Sequence, residues 1–98
     1  DQLLIFHSFV IPLKENREFT YISLSISFSV PNIELKREMI EKKGRLRGII
    51  YDMLREEMNK VKEIPPLEKL KESITRGVNA ALSAGKVNKV YITNFLAV

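Results

Sequence analysis

Ninety-eight residues, 45% of them hydrophobic and 29% charged, suffice for one hydrophobic core and are too few for two domains. Sixteen Lys and Arg against twelve Asp and Glu leave a net charge of +4, which permits contact with nucleic acid or an anionic membrane surface without selecting either. The lack of any cysteine excludes disulfides, thiolate metal sites and a cysteine nucleophile.

In chain order, residues 3–13 (LLIFHSFVIPL) are apolar and rich in aromatic and β-branched side chains, which predicts a strand, irregular near Pro12. The polar stretch 14–18, containing Asn16, reads as a hairpin loop. In residues 19–30, Ile22, Leu24, Ile26, Phe28 and Val30 alternate with Ser23, Ser25, Ser27 and Ser29. That period of two predicts a strand with one face on the core and a serine face toward water or a polar partner. Pro31 ends it, and Asn32 is a helix cap.

A helix is then expected to about Val61, with Leu35, Met39, Leu46, Ile50, Leu54 and Val61 on one stripe and a bend near Gly44 or Gly48. Glu38–Lys42, Glu41–Arg45 and Glu56–Lys60 are spaced as i,i+4 pairs on the polar side. Pro65 and Pro66 break the chain, and a second helix is predicted over 67–84 from Leu67, Leu70, Ile74, Val78 and Leu82. Gly85 stands where a left-handed residue ends a helix, with Lys86 near its carbonyl end. The last strand is 87–98, with Val90, Ile92, Leu96 and Val98 on one face and Tyr91 and Phe95 on the other. The expected fold is therefore α+β, a single domain over 1–98 in the order β-β-α-α-β. Its small, mainly antiparallel three-stranded sheet carries two helices on one face.

Little in the chain looks like chemistry. His7 is the single histidine and lies in an apolar strand, where a structural role is expected. Asp52, Glu56 and Glu57 lie on a highly charged helix and read as a solvated face. No catalytic, cofactor-binding or metal-ligating residue is assigned, and no cofactor is expected. Lys42, Lys43, Arg45 and Arg47 form a cation cluster that makes a small nucleic-acid-binding module the alternative reading. A helix would spread these cations around its circumference, and the GxxG clamp of KH-type RNA binders is missing between the helices. Gly44 and Gly48, four apart, either admit a close backbone or mark a bend. Asn79, beside the apolar stripe, reads as a hydrogen-bond partner for backbone at a strand or turn.

The C-terminal third, LKESITRGVNAALSAGKVNKVYITNF, resembles the flagellar basal-body-associated FliL family through Leu70, Ile74, Asn79, Leu82, Gly85, Val87, Val90, Tyr91, Thr93 and Phe95. The family pattern is a helix bearing Asn, a Gly-x-Val turn and a Val-Tyr-x-Thr-x-Phe strand. Arg47 matches a typical family arginine, whereas Gly48 stands where Asp is usual and Val98 where a final Gln is common. The resemblance covers about 20–98. It implies a stomatin/prohibitin-like, ring-forming domain on the periplasmic side of the bacterial inner membrane. There it would associate with itself and with the flagellar stator, as a non-enzymatic support of motility that does not bind nucleic acid. Arg47, Asn79, Gly85, Tyr91, Thr93 and Phe95 are the structural or interaction positions it implies. No membrane span or signal peptide is visible, and the chain starts at Asp1 without a methionine, so an N-terminal anchor is expected upstream.

Overall fold

The alternating run places strand β2 (Tyr21–Val30) at the centre of a three-stranded antiparallel sheet, between β1 (Gln2–Pro12) and β3 (Lys89–Ala97). The computed structural model describes residues 2–14 and 18–98. Asn16 and most of the predicted hairpin loop fall outside them. At the loop's base the Leu13 N–H bonds the Thr20 carbonyl at 2.9 Å. Helices α1 (Ile33–Glu41), α2 (Lys43–Lys60) and α3 (Leu67–Ala80) follow β2. The Asn32 side chain caps α1 by accepting from the Leu35 N–H at 2.8 Å.

Helices and sheet share one core. Ile22, Leu24, Ile26, Phe28 and Val30 of β2 meet Phe6, Phe9 and Ile11 of β1, with Phe6 edge-on to Phe28 at 5.5 Å between ring centroids. The helices bring Leu35, Met39, Leu46, Ile50, Leu54, Met58, Leu70, Ile74 and Val78. Val61 was expected on this stripe but is exposed, because α2 ends at Lys60 and Val61 is extended. Met58, three residues earlier, fills the core position instead.

The long helix bends, though not at a glycine. The break is at Lys42 (φ −95°, ψ 13°), while the Lys42 N–H still bonds Glu38 O at 2.9 Å and Leu46 N–H bonds Lys42 O at 2.8 Å. Side chains hold this corner. Lys42 Nζ donates to Glu38 Oε2 at 2.7 Å and to the Ala81 carbonyl at 3.0 Å, and the Glu38 carboxylate accepts the N–H groups of Ser83 and Ala84 at 2.7–2.9 Å. That capture explains why α3 stops at Ala80 and not at 84, since the donors of Ser83 and Ala84 are taken by a carboxylate from another helix. Lys42, not Lys86, supplies the positive charge at the α3 carbonyl end.

The hydrogen bond from Lys42 and those from Ala84 and Ser83 hold the Glu38 carboxyl down at about 2, below its ordinary value of 4.5. The ionised form therefore stabilises the fold fully above pH 4.5, and that contribution is lost as pH falls from 4.5 toward 2. Glu38→Gln is expected to flatten the dependence of Tm on pH across this interval. A variant whose Tm falls with acid as steeply as the parent would contradict the assignment.

Gly85 has the positive φ of +152° that the sequence suggested, but it lies beyond the 81–84 turn and is not the residue that ends α3. An added Cβ would meet Leu35 Cδ2 at 3.6 Å, an ordinary contact, so backbone conformation and not space selects glycine. Gly85→Val is expected to destabilise by about 1–3 kcal/mol. An unchanged midpoint in chemical denaturation would show that the turn relaxes at no cost.

Candidate functional site: the open face of the bulged sheet

Each edge strand carries one bulge, and the two sit at the same level of β2. On β1 the register passes from Phe6↔Ile26 to Phe9↔Leu24, so His7 and Ser8 both stand against Ser25. On β3 it passes from Ser25↔Thr93 to Ser23↔Leu96, so Asn94 and Phe95 both stand against Leu24. Ser8 (φ 49°) and Asn94 (φ 53°) supply the left-handed backbone at these points. The irregularity of β1 is thus at Ser8 and not at Pro12, which pairs with Tyr21 on an edge strand where its missing N–H is tolerated. Each bulge also switches strand parity. Leu4 and Phe6 point into the core before the β1 bulge, and Phe9 and Ile11 after it. On β3, Leu96 leaves the face of Val90 and Ile92, and Phe95 leaves its alternation with Tyr91, contrary to a simple period of two.

The family-type residues fall into two groups. Arg47, Asn79 and Gly85 build the frame. Arg47 Nη2 donates to the Ser8 carbonyl at 2.7 Å, its guanidinium lies 4.3 Å from the Phe9 ring centroid, and the Ser8 N–H bonds Ser25 Oγ at 3.0 Å. Both backbone groups of the bulged residue are thereby satisfied. Asn79 clamps Val87 as a strand neighbour would, accepting its N–H at 2.8 Å and donating to its carbonyl at 3.0 Å. This fixes the entry to β3. Tyr91 and Thr93 are exposed on the face opposite the helices, paired with Ser27 and Ser25, and Phe95 lies within the β3 bulge.

That open face has a serine floor and apolar walls. Register places Ser27 between Ile5 and Tyr91, Ser23 between Val10 and Leu96, and Ser29 between Leu3 and Lys89. The walls stand well into solvent, with Leu3 56%, Val10 52%, Tyr91 43% and Leu96 58% exposed. Ser25, Ser27 and Ser29 are buried beneath them; of the expected water or polar partner, Ser25 has the partner, the Ser8 N–H. The walls lie two strand spacings apart, roughly 9–10 Å, wide enough for a partner element to lie along β2.

The other candidates find structural positions. Of the cation cluster, Lys42 is held at the helix corner, Lys43 lies 5.4 Å from the Phe6 ring centroid, and Arg47 is on the β1 bulge. Lys43 and Arg47, one helical turn apart, thus both pack over aromatic rings of β1. Asp52 and Glu56 are exposed, whereas Glu57 turns toward α3 and Lys60, which pairs with Glu57 and not Glu56, at 3.5 Å. His7 is exposed in the β1 bulge. Gly44 and Gly48 have nothing within 4 Å of an added Cβ, so no described part of this chain makes the close approach. Among the described residues there is no group of three or more His, Asp or Glu side chains placed to hold a metal ion, and no helix long and apolar enough to cross a membrane. Sequence reasoning missed Asn59, which accepts the Lys14 N–H at 2.8 Å and donates to the Pro12 carbonyl at 3.2 Å, tying down the end of β1. A carboxamide on the last turn of a helix just before a breaker was the only signal available.

An antiparallel sheet with helices on one face and an open, apolar-walled face on the other defines an α+β domain with a surface suited to contact. The family profile described as "Flagellar basal body-associated protein FliL" matches residues 5–97, including β1, which the local resemblance had left out. The chain belongs to this flagellar basal-body-associated family, which places it among proteins of the flagellum and of motility. It is 27% identical over 89 residues to "Flagellar protein FliL" of Aquifex aeolicus (strain VF5), covering 90% of the chain and 55% of that relative. It therefore spans about half the length of the relative it matches.

Proposed function

We propose that this domain is a structural, non-enzymatic accessory of the flagellar motor that assembles with copies of itself and touches the stator. In this reading it lies on the periplasmic side of the inner membrane, held by an anchor preceding β1, and its fold follows the stomatin/prohibitin plan of ring assembly. Family membership supports the motor setting, and one structural observation supports the assembly: the open sheet face, where Leu3, Ile5, Val10, Tyr91 and Leu96 wall a buried serine floor. Exposed apolar surface of this kind on a small domain marks a contact site. Closure into a ring uses a head-to-tail contact, so this face meets a different surface of the next copy.

Because the chain has no cysteine, single cysteines placed at Val10 or Leu96 become unique attachment points for a photoactivatable crosslinker that captures the different surface of the next copy. Anchored protein bearing them is expected to give covalent oligomers in cells, and polar replacements at Tyr91 and Leu96 to reduce both oligomers and swimming. Unimpaired swimming with polar walls would remove the basis for the reading.

A further inference from the structure

A second exposed surface lies on α1, away from the open sheet face. While Leu35 and Met39 of this helix enter the core, Ile33 is 59% and Ile40 52% exposed. Two turns apart, they form one ridge along the helix. At 100° per residue Lys36 falls about 60° to one side of Ile33 and Arg37 about 40° to the other. The carboxylates of Glu34 and Glu41 lie further round, roughly 80–100° from the ridge, and Glu38 is engaged with Ser83 and Ala84. Ile33, Lys36, Arg37, Ile40 and Glu41 line one shallow depression. Lys36 Nζ also donates to the side chain of Gln2, so the patch adjoins the start of β1.

We propose that this face of α1 docks on an anionic lipid bilayer. Ile33 and Ile40 enter the boundary between headgroups and acyl chains, and Lys36 and Arg37 meet lipid phosphates. An apolar ridge with a cation on either side is the pattern of a helix lying in the membrane interface, and the flanking charges complement an anionic leaflet. A protein partner fits less well. Two isoleucines offer far less than the roughly 800 Å² per partner that a stable protein interface buries, whereas a bilayer demands no matching shape. The proposal goes beyond the assembly role and does not depend on it. A patch this small holds a bilayer only when a tether keeps it close, so the test supplies one.

The chain, with a polyhistidine tail ahead of β1, is tethered to vesicles containing a nickel-chelating lipid. An environment-sensitive dye is attached at Gly44→Cys, four residues beyond Ile40 at the start of α2 and open to solvent, or at Glu72→Cys on α3 as control. With phosphatidylglycerol present, a blue shift is expected at position 44 and not at 72. It should shrink several-fold in Lys36→Glu/Arg37→Glu and in Ile33→Ser/Ile40→Ser, and fade with added salt. The proposal is overturned if position 44 reports no shift, if 44 and 72 shift equally, or if the shift persists on pure phosphatidylcholine and grows with protein density, which marks a protein contact.

Discussion

Phe28→Ala is expected to destabilise the domain by about 3–5 kcal/mol, the largest effect of any single change considered. Phe28 is fully buried on the central strand, between Leu4 of β1 and Val90 of β3, with its ring against the edge of Phe6. Every layer of the core loses contacts when it is truncated, and the strands on both sides limit collapse into the void. A domain of this size has about 5–15 kcal/mol of stability in total, so the variant approaches the threshold of folding. Chemical denaturation measures the loss, and a midpoint within experimental error of the parent would mean that the sheet and helices do not share one core.

Asn79→Leu is expected to lower stability by about 2–4 kcal/mol, although leucine suits a helix at least as well as asparagine. The reason lies in Val87, which is 2% exposed and whose N–H and carbonyl both bond the Asn79 carboxamide. Leucine leaves both groups buried without partners, and each carries a penalty of roughly 1–3 kcal/mol that partial access of water at the helix surface reduces. Because Val87 leads into β3, hydrogen exchange should accelerate first at 87–92. Unchanged exchange there would show that β3 is positioned by packing alone.

Burial leaves a periodic imprint in a sequence, and the parts of this fold that follow from burial were legible. The serine alternation of 21–30 named the central strand and its core residues, and the stripe from Leu35 to Leu54 named the inward faces of α1 and α2. Asn79 was read as a partner for backbone, and it is one. What escaped depends on single hydrogen bonds between distant residues or on backbone dihedrals. Nothing in LLIFHSFVIPL shows that Ser8 takes a left-handed φ, because serine is not the residue such a conformation favours and its stabilising partners, Ser25 and Arg47, lie 17 and 39 residues away. Leu82 continues the apolar period of α3, so helix pattern alone runs past Ala80. The chain turns there because Glu38, 45 residues earlier, takes the Ser83 N–H. Bulges displaced by one residue also decide which side chains form the open face, so Leu96 could not be assigned to it from alternation.

Frame residues and open-face residues have separable consequences. Changes at Arg47, Asn79 or Gly85 act on the frame and should lower stability along with activity in the motor. Changes at Tyr91 or Leu96 leave the frame intact, since exposed side chains away from special features alter stability by about 0.5 kcal/mol or less.

The most direct test of the assembly claim is therefore amine-reactive crosslinking of the full-length protein in cells, comparing the parent with Tyr91→Ser/Leu96→Glu at matched abundance. The parent is expected to give a ladder of covalent oligomers and the variant mostly monomer, with an unchanged denaturation midpoint for the isolated domain and reduced swimming. A parent that remains monomeric, or a variant that keeps both the ladder and full motility, would contradict the claim.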